Sequence, residues 1–453
     1  MHPYNILALF FGLAYIALSL ESTGLLKACA ILVAKKGGSS TFKTFTYIYL
    51  LCLILSVLMG NDPVILSATS FLVHYSHATS MDLNPLLFAE FASSNIGSMV
   101  FFFGNPTNVV ICEGFHFGYL TFTAYMIGPF IACSLVCFAV LWFQFKWMPV
   151  KPIESVPTEI QMEDVQQAVG SQEQFNQVEV EIVEESLVRV LSKVKRQSSA
   201  SIKENALTDP FGAAVGTVMF LACVVVIIGA SFVNVEVWLI SIPFAILKAL
   251  FDISWDLYRR YKNIPIVIQE SRDSHPHKFF PTFHSKMQEV VPTFYQTCTR
   301  LPFPLISFLL SQFIIVQSLS FRNWISTFAY YMEFATVNLP TTAFVFGILT
   351  VILCAIAGTN ILATILIAKT ILAMNMDDKT ITIASLVLAV GSNIGAVGFV
   401  FAASLAGLLW KGILVENKVS IANSDFAKYN MLPLIAMMLV GYLVVWAEVV
   451  IFN

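Results

Sequence analysis

The sequence predicts an all-α polytopic membrane protein built as an inverted repeat, with two re-entrant hairpins and two broken transmembrane helices. Three observations carry this expectation. Of 453 residues, 57% are hydrophobic and only 12% charged, against roughly 25% charged in an average soluble domain. Apolar runs of about 20 residues, the length that crosses a bilayer as a helix, recur along the chain. One polar pattern also occurs twice, in the same order and at the same spacing.

Uninterrupted apolar runs lie near 4–20, 43–60, 121–147, 210–233, 236–253, 301–321, 340–357 and 430–452, and interrupted ones at 86–111 and 382–410. The first, "ILALFFGLAYIALSL", is expected to be a span rather than a cleavable leader. Residues 148–209 carry eleven acidic and six basic side chains with almost no aromatics. Such a composition cannot bury enough apolar surface to fold alone, so the segment is expected to be a linker. Within it, "VEVEIVEESLVRVLSKVKR" has acids early and bases late, which suits an amphipathic helix lying on a surface. A second charged segment, 254–300, opens with "YRRYKN". Both segments flank one pair of spans and therefore share a side. The clusters Arg259, Arg260, Lys262 and Lys193, Lys195, Arg196 place that side in the cytoplasm. The chain thus divides into a first membrane repeat at 1–147, a cytoplasmic linker at 148–209 and a second membrane repeat at 210–453.

The repeat is explicit. "MGNDPVILSATSF" (59–71) is followed by "SSNIGS" (93–98), and "AGTNILATILIAK" (357–369) by "GSNIGA" (391–396). Asn61 and Asn95 are 34 residues apart, Asn360 and Asn393 33. A further polar break follows each, "GNPTN" at 104–108 and "SLAG" at 404–407. Main-chain polar groups in hydrocarbon must be satisfied, so non-helical chain at membrane depth persists only where it is buried in protein or lines a wet cavity. Gly97, Gly104 and Pro106 therefore mark an unwound stretch, which the asparagines supply with oxygens and amide donors. Unwound stretches also expose helix ends, whose N-termini favour anions and whose carbonyl ends favour cations. The runs near 61–77 and 359–373 are short for separate spans and are read as hairpins with "GND" and "GTN" at their tips, meeting near the two SNIG segments.

With these residues quoted, the sequence resembles the ion transporter superfamily, most closely its ArsB and NhaD-like branch. The resemblance rests on "LESTGLLKACAILVAKK", the "ND" tip, "SNIGSMVFFFGNPTN" and "GSNIGAVGFVFAASLAGLLW", and covers nearly all of the membrane-embedded chain. It implies a secondary carrier whose hairpins and broken helices move against a scaffold, dimeric through that scaffold. It also implies an integral, multi-pass location in the plasma membrane or an organelle. By the same resemblance Asn61, Asp62, Ser94, Asn95, Gly97, Asn105 and Asn108 form one half-site. Thr359, Asn360, Thr364, Ser392, Asn393, Gly395 and Ser404 form the other. Relatives have two scaffold helices before the first shared span, whereas here that span begins almost at Met1. A shortened chain or an unequal scaffold is expected. Phe101, Phe102 and Phe103 make the first half-site unusually apolar.

A carboxylate at membrane depth is expensive and functional by default, which singles out Asp62, whose repeat counterpart is Ile361. Glu90 lies five residues before Asn95, and both acids are assigned to proton coupling. Glu21, at the end of a span, is expected to be interfacial, and Glu448 to face a partner helix or the aqueous boundary. The expected cargo is a small inorganic solute or metalloid hydroxide, exchanged with H+ or Na+. The alternatives are a sodium-coupled carboxylate carrier, a channel or a paralogue that no longer transports.

An enzyme is not expected. His74 and His77 lie near Asp62 and Glu90, but the HExxH arrangement is missing, and no Ser-His-Asp set or phosphate loop is visible. A net charge of −3 and the absence of a basic stripe give no sign of nucleic acid. The eight cysteines sit mostly inside apolar runs, as small buried hydrophobes do. Cys133 and Cys137 share a helix face without completing a metal site. No cofactor or metal is expected.

Overall fold

Polar caps and glycine turns, more than changes in hydropathy, set where the helices end. The computed structural model describes residues 3–38, 40–79, 81–147, 207–230, 235–264, 281–301 and 303–452, and among them there is helix but no strand. The linker expectation for 148–209, with its surface helix, falls almost wholly outside the described residues. The first repeat comprises α1 (Pro3–Ser22), α2 (Leu25–Gly37), α3 (Thr41–Met59), α4 (Asn61–Thr79), α5 (Leu83–Gly97), a 3-10 turn (Phe102–Gly104), α6 (Pro106–Phe115) and α7 (Tyr119–Trp147). A pair follows, α8 (Pro210–Ala230) and α9 (Trp238–Tyr261), then the short α10 (Pro281–Val290) and α11 (Pro292–Arg300). The second repeat comprises α12 (Pro304–Phe321), α13 (Trp324–Tyr331), α14 (Leu339–Ile356), α15 (Asn360–Ala373), α16 (Asp378–Ile394), two 3-10 turns (Gly395–Val397 and Phe401–Ala403), α17 (Leu405–Glu416) and α18 (Asn423–Phe452). Nine helical stretches among the described residues are long and apolar enough to cross a membrane. The protein is therefore a multi-pass integral membrane protein.

The helices of the two repeats follow the same order, with one 3-10 turn at the first break and two at the second. α3 ends at a glycine with positive φ, Gly60 (φ 82), and α4 starts directly beyond, while α14 is followed by Ala357, Gly358 (φ 69) and the capping Thr359 before α15. The turns are thus made between these helices. The 61–77 run, expected to be a hairpin, is the continuous second arm of one, and Gly60 sets the bend just before it. α15, at 14 residues, reaches about 21 Å and cannot cross a hydrocarbon core of about 30 Å. Both broken helices restart at a polar cap. Asn105 Oδ1 accepts from Thr107 N at 3.2 Å, with Pro106 opening α6, and Ser404 Oγ accepts from Gly407 N at 3.0 Å to open α17. α7 and α18 each carry one interior proline, Pro129 and Pro433, and pack against one another at the junction of the repeats. Across it the arms exchange, with α4 against α17 and α15 against α6, while α5 and α16 meet at the centre.

α8 and α9 pack on α1, and this interface is held by buried charge. Lys248 and Asp252 form an ion pair at 1% and 3% exposure. Lys248 Nζ donates to Ser19 Oγ at 2.6 Å, while Ser19 Oγ (2.7 Å) and Tyr15 OH (3.0 Å) donate to Asp252. α9 runs past the expected end of its span at 253, because Asp256 accepts Thr293 N and Thr293 Oγ1, both at 2.8 Å, and so caps α11. Arg259 in "YRRYKN" is likewise buried and pairs with Asp209 at 3.3 Å. Glu21 is a further correction. It is buried rather than interfacial, forms an ion pair with Arg300, and accepts Ser67 Oγ of α4 at 2.7 Å.

Candidate transport site

Each hairpin tip is tied to the broken helix of its own repeat. Asn61 Nδ2 donates to Asn95 Oδ1 at 3.1 Å, and Asn360 Nδ2 donates to Ser392 O at 3.3 Å. A Cβ on Gly60 would lie 2.8 Å from Gly104 O, so the first tip touches the unwound chain directly. The breaks of the two repeats are then joined through one side chain. Asn393 Nδ2 donates to Asn108 Oδ1 at 2.7 Å, while Asn393 Oδ1 accepts from Asn105 Nδ2 at 3.3 Å and lies 3.2 Å from Ser98 Oγ, whose one proton also has Asn95 O at 2.9 Å. Asn108 Nδ2 in turn donates to Ser98 O (2.9 Å) and Phe101 O (3.0 Å), and Ser392 Oγ to Thr107 Oγ1 (3.3 Å). Ser98 and Thr107, which the repeat pattern does not single out, are thus central. Their signal was weak because Ala396 and Ala406 occupy the corresponding positions of the second repeat.

The predicted residues fall into three groups. Asn95, Asn105, Asn108, Ser392 and Asn393 form the buried lattice just described. Gly97, Gly395, Thr359, Thr364 and Ser404 shape its surroundings. A Cβ on Gly97 would come within 2.6 Å of Leu53 O, and one on Gly395 within 3.1 Å of Cys354 Sγ. Thr359 caps α15 at Ile361 N (3.2 Å), and Thr364 Oγ1 donates to Asn360 O (2.7 Å). Polar capacity remains in the third group: the Oδ1 atoms of Asn61 and Asn360, the carboxylate of Asp62, and Ser94 Oγ, which is buried with no hydrogen-bond partner. Asp62 lies in the first turn of α4, where the helix end favours an anion, and is partly exposed. Between 93 and 108, 357 and 364, and 391 and 407 there is no lysine, arginine or histidine.

Glu90 is fully buried at 0% exposure. Its Oε1 lies 3.0 Å from Thr69 Oγ1 of α4, and its Oε2 accepts Trp410 Nε1 of α17 at 3.0 Å. Trp410 stacks on Phe91, ring centroids 4.7 Å apart. Phe101 and Phe103 stack at 5.2 Å beside the first break, the apolar character expected of "MVFFFG". His74 is exposed, and the His77 side chain lies outside the described residues. Among the described residues no three His, Cys, Asp or Glu gather closely enough to hold a metal. Glu448 faces a partner helix, its Oε1 against the Gly128 face of α7 and its Oε2 buried without a partner.

Residues 3–391 match the family model described as citrate transporter. The chain belongs to the citrate transporter family. It is 29% identical to the "P protein" of Homo sapiens over 146 residues, 30% of this chain and 17% of that protein. It is 24% identical to the "46 kDa membrane protein" of Mycobacterium leprae (strain TN) over 138 residues, 30% of this chain and 32% of that one. The chain thus aligns with less than a third of the length of the curated relatives it matches. A citrate transporter family member is a secondary transporter and not an enzyme. The match covers both repeats up to residue 391 and does not distinguish the narrower ArsB and NhaD-like branch.

Proposed function

We propose that this citrate transporter family protein is a proton-coupled secondary carrier of a small, neutral or weakly acidic inorganic solute, such as a metalloid hydroxide, working by alternating access. The observation that carries the reading is the Asn393 junction. One carboxamide ties the break of α16 to Ser98, Asn105 and Asn108 of the other repeat, so the broken helices form one body from which two hairpin tips project. Uncommitted amide oxygens at Asn61 and Asn360, with the Asp62 carboxylate, suit a hydroxylic solute that donates hydrogen bonds. The tip and break segments themselves contain no basic residue, and the cation beside them, Lys411, sits over the Phe401 ring at 5.1 Å, which disfavours a multiply charged anion. Asp62 and Glu90 are the carboxylates available to carry the proton. Homodimerisation through the scaffold accompanies this reading, by resemblance.

A second reading, a sodium-coupled carboxylate carrier, is favoured by the description of the matching family model. The N-termini of α4, α6, α15 and α17, all at the tips or breaks, offer partial positive charge to such an anion. Flux into proteoliposomes with arsenite, silicic acid, sodium and citrate in parallel, with and without a pH gradient, separates the two. Flux of a hydroxide that follows the proton gradient and disappears in Asp62→Asn supports the first reading. Citrate uptake driven by sodium and indifferent to pH overturns it.

A further inference from the structure

We infer that Glu90 holds a proton in this conformation, and that Thr69 and Trp410 build around it a proton-binding site separate from the solute contacts at the tips. This rests on the carrier reading for its purpose but not for its chemistry. A threonine hydroxyl has one proton to give. Thr69 Oγ1 lies 2.6 Å from Ile65 O, the short back-bond of a helical threonine, and 3.0 Å from Glu90 Oε1. A carbonyl oxygen can only accept, so the Thr69 proton goes to Ile65. The contact with Glu90 is then a hydrogen bond only if the carboxylic acid donates to the hydroxyl oxygen. Trp410 Nε1, a donor only, covers the other oxygen at 3.0 Å. One oxygen thus carries the proton and the other accepts.

The surroundings agree. Glu90 is at 0% exposure, and none of the ion pairs among the described residues includes it. The titratable group recorded as facing it is the Cys52 thiol of α3. The faces of α4 and α17 against it supply Thr69 and Trp410, and no cation or second acid is recorded there or on α7 and α16. An ionised carboxylate there would have only neutral donors against its desolvation.

Comparison of the repeats argues that this pocket is a purpose and not a packing accident. At the related positions 298 or 299 residues away stand Leu388 for Glu90, Ala368 for Thr69 and Ile111 for Trp410. All three are buried at 0% exposure, so the same backbone packs with no polar atom in this place. The site also spans the parts that must move together. Glu90 is on broken helix α5, Thr69 on the arm that begins at Asn61, and Trp410 on the restarted helix of the other repeat. On losing its proton Glu90 would need the Thr69 hydroxyl to turn away from Ile65 and donate to it, which passes the protonation state into the hairpin arm.

Infrared spectroscopy of the purified full-length protein in liposomes tests this without requiring transport. A carboxylic C=O band at neutral pH is expected, lost in Glu90→Gln, present in Asp62→Asn, and shifted to higher frequency in Thr69→Val and Trp410→Phe as each hydrogen bond is removed. Absence of such a band from the wild type, or its survival in Glu90→Gln, overturns the inference. If Glu90→Gln does not fold, the Thr69→Val and Trp410→Phe shifts decide alone, and an unmoved band in both counts against the site. Failure of the carrier reading would instead show as no flux of any solute, with the band unaffected.

Discussion

The two repeats share a backbone and differ in chemistry. Both turn at a glycine with positive φ, both restart a broken helix at a polar cap, and both close with a long helix bearing one proline. Yet Asp62, Thr69, Glu90, Ser98, Thr107 and Asn108 of the first repeat face Ile361, Ala368, Leu388, Ala396, Ala406 and Gly407 in the second. The shared residues are those that geometry requires: glycines where φ is positive or backbones touch, and hydroxyl or amide groups where helix N-termini need acceptors. The unshared residues include both acids of the tips and breaks, Asp62 and Glu90. Symmetry therefore supplies a common frame, on which the two acids lie in the first repeat while the polar junction is shared between both.

The largest contrast is expected at the paired asparagines. Asn393→Ala strands Asn105 Nδ2 and Asn108 Oδ1, two buried groups, at about 1–3 kcal/mol each, while Ser98 Oγ keeps Asn95 O at 2.9 Å. Asn95→Ala strands chiefly the Asn61 amide. Flux should fall by more than about 100-fold in the first variant and about 10-fold in the second, by the same per-group cost. Equal losses in a proteoliposome assay would break the asymmetry. A smaller contrast separates the turn glycines. Both Gly60→Ala and Gly358→Ala place an alanine at positive φ, at about 1–2 kcal/mol, but only the first meets an atom, Gly104 O at 2.8 Å, whereas nothing lies within 4 Å of Gly358. Thermal unfolding in detergent should drop further for Gly60→Ala, with flux impaired in that variant alone. The smallest effect is expected at the scaffold contact. Ser67→Ala removes one hydrogen bond to Glu21, which keeps its Arg300 partner, at about 1 kcal/mol or about 2–4 °C in Tm. Leu366→Ala at the related position would cost packing only, and a salt-sensitive Tm in that variant would contradict the comparison.

Hydropathy, the doubled GND/GTN and SNIG strings, and the unmatched acids at Asp62 and Glu90 were readable because each is local: a run length, a spacing or a charge where charge is costly. They determined a membrane protein of two matching halves with interrupted helices, and which residues lie at the interruptions. Only the tertiary structure decided what those residues meet. It set Asn393 against Ser98 and Asn108 nearly three hundred positions away, drew Trp410 onto Glu90, buried Glu21 against Arg300, and paired Lys248 and Asp252 with Ser19 and Tyr15 across α1 and α9. The reason is physical. Whether a polar side chain in an apolar segment binds solute, holds a proton or staples two helices depends on which distant donor or acceptor satisfies it. That partner is chosen by how the helices pack, which no spacing within one segment records.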